Sequence, residues 1–164
     1  MYTRRDYEAV RHQLDPAMAL LWDVGTQTGF RVSDLLRLTH ADVHNGHIFA
    51  RERKTKKYRV EHITFQTTQN LSNYVAKNGM SDTDPLWPFT RQQVWRVIKR
   101  AGEACGISGL GAHSMRKTYA WLRLLESASV ADVREKLLHA YESTTMQYLK
   151  PGLENAAKKG RLVF

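Results

Sequence analysis

The chain has 164 residues, 42% hydrophobic and 25% charged, which is room for one domain with a real core but too short for two comfortable ones. Its longest purely apolar run, Ala17 to Trp22, is far too short to span a bilayer, and the N-terminus lacks the apolar core of a signal peptide. A lone cysteine, Cys105, excludes an internal disulfide and makes a reducing, cytoplasmic setting the expectation, while a net charge of +9 points to a polyanionic partner.

In chain order, Thr3 with Asp6 three residues later reads as a capping box opening an amphipathic helix that runs to about Leu14. Asp15-Pro16 opens a second helix. Its residues Ala17, Met18, Leu20, Leu21, Trp22 and Val24 are apolar nearly all round, so it should be buried, and Gly29 should end it. In the string T-G-F-R-V-S-D-L-L-R-L-T, from Thr28 to Thr39, Arg31 lies in the turn and Ser33 is expected to cap the next short helix. An arginine between two helix ends stands beside unpaired backbone N–H groups, where anions bind.

Asn45-Gly46 is a turn signal, and residues 47–52 and 58–65 read as two strands, with Val60, Ile63 and Phe65 among the β-formers. The connecting hairpin holds six cations, Arg51, Arg53, Lys54, Lys56, Lys57 and Arg59, against one anion. Such a segment is either a solvated, lysine-protected edge or a positive finger for a DNA groove. A helix over 68–77 follows, with Leu71, Tyr74 and Val75 on one face. Thr90 with Gln93 caps another, whose apolar positions Val94, Ile98, Ala101 and Cys105 step by four, three and four, so Cys105 is a core residue. Arg96, Lys99 and Arg100, with Arg91, decorate its other faces as phosphate contacts or solvated charge. A glycine-rich loop, 106–111, then leads to His113. Helices continue past Arg116 and over Val130, Val133 and Leu137, and Ser143-Thr144-Thr145 opens a short one carrying Tyr148. The pattern is mainly α with a small antiparallel β-sheet inserted after the third helix, an α+β domain over 1–150. The tail, 151–164, is basic and then apolar.

The chemistry concentrates between His113 and Tyr148. Two imidazoles, a guanidinium and a phenol suit the holding of a phosphodiester while an oxygen nucleophile attacks phosphorus. G-A-H-S-M-R-K-T-Y-A and L-L-H-A-Y-E-S-T-T-M-Q-Y resemble the C-terminal signature of the tyrosine recombinase (phage integrase) family: a His-x-x-Arg box, a Leu-Gly-His segment, and a nucleophilic tyrosine nine residues after the histidine. Here these are His113 and Arg116, then His139 and Tyr148, with Leu138 in the usual glycine position. The Thr28–Thr39 string resembles the family's first arginine box. The resemblance implies catalytic roles for Arg31, Lys54 (Lys56 the runner-up), His113, Arg116, His139 and the nucleophile Tyr148. It also implies a supporting carboxylate at Asp34, and DNA contacts from Arg51, Arg53, Lys56, Lys57, Arg59, Arg96, Lys99 and Arg100. Tyr141 lacks the family offset from His139 and is expected to pack.

The implied activity is site-specific cleavage and rejoining of double-stranded DNA through a 3′-phosphotyrosine, with no cofactor and no metal. His40, His44 and His47 are spaced like metal ligands, but Asn45-Gly46 breaks any helix that would align them. The different-class alternatives are a type IB topoisomerase and a non-catalytic DNA-binding relative. Family members usually carry an N-terminal DNA-binding domain as well. The resemblance here starts at the catalytic domain, which implies modest, strongly salt-dependent DNA affinity. It also implies a bacterial or phage-encoded protein, monomeric alone and tetrameric on DNA, with the tail packed in cis or exchanged between protomers.

Overall fold

The computed structural model describes residues 4–125 and 129–137, with 143, 145–146 and 149–150 beyond them. The elements run α1 (Arg4–His12), α2 (Pro16–Thr28), α3 (Val32–Leu35), a 3-10 turn (His40–Asp42), β1 (Val43–His44), β2 (His47–Arg51), β3 (Tyr58–His62), α4 (Phe65–Lys77), α5 (Arg91–Ala104), α6 (Ser114–Leu125) and α7 (Val130–Lys136). The expected architecture stands: helices around a small antiparallel sheet, placed between α3 and α4.

Helix α2 is the axis of the molecule. Asp15 caps it through bonds from the Ala17 and Met18 amides, each 3.0 Å, and Gly29 ends it in the left-handed region at φ 63°. Met18, Leu20, Leu21, Trp22 and Val24 are buried in the main core, with Phe30, Leu35, Ile48, Ile63, Leu71, Leu86, Val94, Ile98 and Met115 around them. Helix α1 is pinned to it by Arg11, whose Nε donates to both oxygens of buried Asp23 at 2.8 and 2.9 Å, and by the Tyr7 hydroxyl on the same carboxylate. A second, smaller core joins Tyr119, Ala120 and Trp121 of α6 to Val133, Leu137 and Leu149.

Helix α6 crosses close to α2 because two glycines face it. A Cβ on Gly25 would lie 2.4 Å from the Met115 sulfur, and one on Gly29 would lie 2.4 Å from the Tyr119 ring. Only a residue without a side chain leaves α6 this near. The approach brings the next residue after Met115, Arg116, within reach of the Gly29 carbonyl.

Three details differ from expectation. The sheet has a third strand, β1, paired with β2 across the Asn45-Gly46 turn (φ 49° and 75°). Strand β3 ends at His62, because Thr64 accepts from the Thr67 amide at 3.3 Å and starts α4 there. Phe65 is therefore a helix residue, and it is exposed. Helix α3 begins at Val32 with Arg31 in the cap position, so Ser33 lies inside it instead of capping it. Thr3 lies outside the described residues, as do the tail and the Tyr141 position.

Strand β3 is inverted in polarity. The inner face of the sheet carries Ile48 and Ala50 from β2 but Arg59 and Glu61 from β3, while Phe49, Tyr58 and Val60 face outward. The register pairs Ala50 with Arg59 and Ile48 with Glu61, so each buried charge sits opposite an apolar side chain.

Candidate active site

The alternation of β2 continues one residue past its end, so Glu52 points inward after Ile48 and Ala50, and it is 0% exposed. Its carboxylate gathers three arginines. Oε1 accepts from Arg59 Nη1 at 3.0 Å and from Arg116 Nη1 at 3.3 Å. Oε2 accepts from Arg31 Nη1 and from the Thr55 hydroxyl, the latter at 3.3 Å. Burial would raise the Glu52 pKa, but the Arg59 hydrogen bond and the charges of Arg116, Arg31 and Arg59 outweigh it and hold the carboxyl below its ordinary value.

Arg31 and Arg116 thus converge on one carboxylate from opposite ends of the chain. Arg116, in the first turn of α6, is 1% exposed and also donates to the Gly29 carbonyl at 2.7 Å and to the Leu137 carbonyl. Arg31 is less enclosed, with 18% of its side chain open to solvent. The hairpin beside them is closed by Glu52 itself, whose amide donates to Lys57 O and whose carbonyl accepts from the Lys56 amide, both at 2.9 Å. Lys54 and Lys56 are exposed at its tip, and Lys56 has a left-handed φ of 59°. Asp34 is buried, and its Oδ1 accepts from the Arg53 amide at 2.9 Å. Its described contact is with the hairpin backbone, and Glu52 is the acid the arginines share.

His113 stands just before α6, at the rim of a cavity of about 730 Å³ lined also by Arg91, Trp95, Gly111 and Lys117. Partial burial, then the charges of Arg91, Arg116, Lys117 and Arg31, hold its imidazole below the ordinary histidine value. It therefore stays neutral, and able to accept a proton, at lower pH than a free imidazole does.

Several expected residues lie elsewhere. Arg59 is a correction. Its guanidinium is turned inward, 4% exposed, and donates to Glu52, to Thr28 O at 2.8 Å and to Glu61 at 2.8 Å. It also stacks 4.7 Å over Phe30, so its guanidinium faces the interior and not a DNA surface. Arg51 is exposed but bonds Lys56 O at 3.0 Å and lies over Tyr58. Arg53 and Lys57 are exposed on the hairpin, and Arg96, Lys99 and Arg100 are exposed on α5 outside the His113 cavity. His139 and Tyr148 lie outside the described residues, as does Leu138. Of their neighbours, Leu137 gives its carbonyl to Arg116, and Leu149 is buried in the second core. His40 pairs with Asp82 at 2.8 Å, His44 meets Phe49, and His47 meets His62. Among the described residues no three of His, Cys, Asp and Glu gather as a metal site.

Residues 7–153 match the model of the phage integrase family. The chain belongs to that family. Its relatives include the probable integrase/recombinase YoeC of Bacillus subtilis (strain 168), 31% identical over 137 residues, covering 79% of this chain and 75% of YoeC. Tyrosine recombinase XerD of Halalkalibacterium halodurans is 32% identical over 135 residues, covering 74% of this chain and 45% of XerD. The chain therefore spans three quarters of one relative and under half of the other. The phage integrase fold is shared with the crystal structure of XerA recombinase, at TM-score 0.79 and 23% identity over 99% of this chain and 65% of that one. The catalytic domain of bacteriophage HP1 integrase gives TM-score 0.71 and 21% identity, over 96% of this chain and 93% of that one.

Three residues of this phage integrase domain escaped the sequence reading, Glu52 and, around His113, Trp95 and Lys117, and Arg91 was read only as a phosphate contact or solvated charge on its helix, not as a neighbour of His113. Glu52 had a signal, since a lone acid among six cations that also falls on the inward phase of a strand is a counter-ion. Arg91 and Trp95 are four apart at the start of a helix, but only the fold puts that turn beside α6.

Proposed function

We propose that this chain is the catalytic domain of a site-specific recombinase that cuts and rejoins double-stranded DNA through a 3′-phosphotyrosine. The observation that carries the reading is the convergence of Arg31 and Arg116 on one carboxylate, with His113 and the Lys54 hairpin alongside. Relatives named as tyrosine recombinases support it. The Tyr148 phenol oxygen attacks phosphorus as the P–O5′ bond breaks, leaving a phosphotyrosine on the 3′ side and a free 5′-hydroxyl. The phenol proton passes to His113, and Lys54 gives a proton to the departing oxygen. Arg31 and Arg116 neutralise the non-bridging oxygens as charge builds on them, with His139 as a further donor. The covalent ester keeps the energy of the broken bond, so attack by a 5′-hydroxyl from another strand completes exchange without a nucleotide cofactor. The working assembly is a tetramer on paired DNA sites, formed from chains that are monomeric alone, on DNA in the cytoplasm of a bacterial cell.

The deciding experiment is a nicked suicide substrate that traps protein on DNA. Wild-type chain is expected to give a covalent adduct and Tyr148→Phe none, with binding largely retained. An adduct that survives Tyr148→Phe would move the nucleophile elsewhere. DNA binding with no adduct from the wild type would leave a non-catalytic relative.

A further inference from the structure

Glu52 has no partner-binding surface of its own, yet every part of it is used. Its carboxylate holds Arg31, Arg59 and Arg116, and the same carboxylate accepts from Thr55, one residue after Lys54. Its backbone amide and carbonyl close the loop that carries Lys54, through Lys57 O and the Lys56 amide. A single residue therefore sets the distance between the arginine pair and the lysine. We infer that Glu52 is a positioning residue, an interior anion that fixes the two phosphate-binding guanidiniums and the proton-donating lysine in one register. The inference rests on the recombinase reading above and deepens it.

Three features argue for a fixed pedestal over a passing ion pair. Glu52 and Arg116 are both fully buried, so neither can swing into water. The carboxylate spends one oxygen on Arg59 and Arg116 and the other on Arg31 and Thr55, so a shift at any partner is felt by the rest. Arg59 is itself fixed by Glu61, which also accepts from the Tyr119 hydroxyl at 2.9 Å. The arginines are thereby held in place before substrate arrives, and no reorganisation is left for the moment of reaction.

The roles of Glu52 separate with two substrates. One is an ordinary nicked duplex; the other carries sulfur in place of the bridging 5′-oxygen, a leaving group that departs without being protonated. Glu52→Gln keeps the shape and removes the charge. At saturating DNA its single-turnover rate constant should fall roughly thirtyfold or more on both substrates, while DNA binding is unchanged or tighter. A purely structural role would instead lower the reacting amplitude, as part of the population unfolds, and leave the rate constant alone. Thr55→Val removes the side-chain link from Glu52 to the hairpin, together with the 3.4 Å bond from the Lys57 amide to the same hydroxyl, and leaves the arginine contacts in place. It should slow the ordinary substrate about fivefold and be restored to within about twofold by the sulfur substrate. E52Q reacting within about threefold of wild type, or losing amplitude only, overturns the inference. Should E52Q fail to fold, Thr55→Val decides alone, and equal behaviour to wild type on both substrates overturns it. A wild-type chain that forms no adduct sinks the recombinase reading, and this inference with it. A reactive wild type matched by E52Q sinks the inference only.

Discussion

At the scale of single residues, charge was easy to count in the sequence and hard to place. Arg31, His113 and Arg116 could be put forward from the sequence because each sits in a short motif whose spacing survives in one dimension. Arg59 could not be placed, because six cations in nine residues look alike until the pleat of the strand turns this one to the interior. The same pleat buries Glu52, which turns the hairpin from a uniformly basic finger into a basic tip on an ionic root. His113 carries a prediction at this scale. In the proposed mechanism neutral His113 takes the phenol proton, so the cleavage rate should fall as pH drops through the His113 pKa, which lies below that of an ordinary imidazole. Arg91 is the leading charge in that depression, after burial. Arg91→Ala should move the acid limb of the single-turnover pH profile upward, toward the free-histidine value. An acid limb that stays in place would mean that the neighbouring cations do not govern the titrating group.

At the scale of elements, the helices were read well wherever a cap and an apolar stripe agreed. Thr90 with Gln93 starts α5, and both arms of the box form, with Thr90 N to Gln93 at 2.7 Å and Gln93 N to Thr90 at 3.2 Å. Where the two signals conflicted, the cap won: Phe65 looked like a strand residue, but Thr64 had already turned the chain into α4. The closeness of α2 and α6 could not be read, because Gly25 appears in sequence as a weak point in a helix and not as a contact. Gly25→Ala would ordinarily strengthen a helix by up to about 1 kcal/mol. Here the added carbon meets the Met115 sulfur at 2.4 Å, and overpacking of this kind costs about 1–3 kcal/mol. The variant should be less stable by chemical denaturation and slower in adduct formation, since α6 carries Arg116. A Gly25→Ala chain that is more stable and equally fast would show that α6 can sit farther out without loss.

At the scale of the whole molecule, fold class followed from the sequence, and the ionic interior that joins Arg31 to Arg116 did not. Hydrophobic periodicity reports cores made of apolar side chains, and those were found. It is silent about an interior built from Glu52, Glu61, Arg31, Arg59 and Arg116, because such a network has no period and reveals itself only as distances. The outward-facing apolar side chains of the sheet have one further practical result. Phe49 and Val60 are 45% exposed and Tyr58 78% exposed on one face of an intact domain, and dyes that light up on greasy surfaces respond to such a face as they do to a loosened core. Native protein mixed with an environment-sensitive naphthalene sulfonate should fluoresce well above a Phe49→Ser, Val60→Thr double variant. If the two read the same, the face is too broken to hold dye. If they differ, melting curves on this domain are better followed through its four tryptophans, whose signal does not depend on dye bound to the folded state.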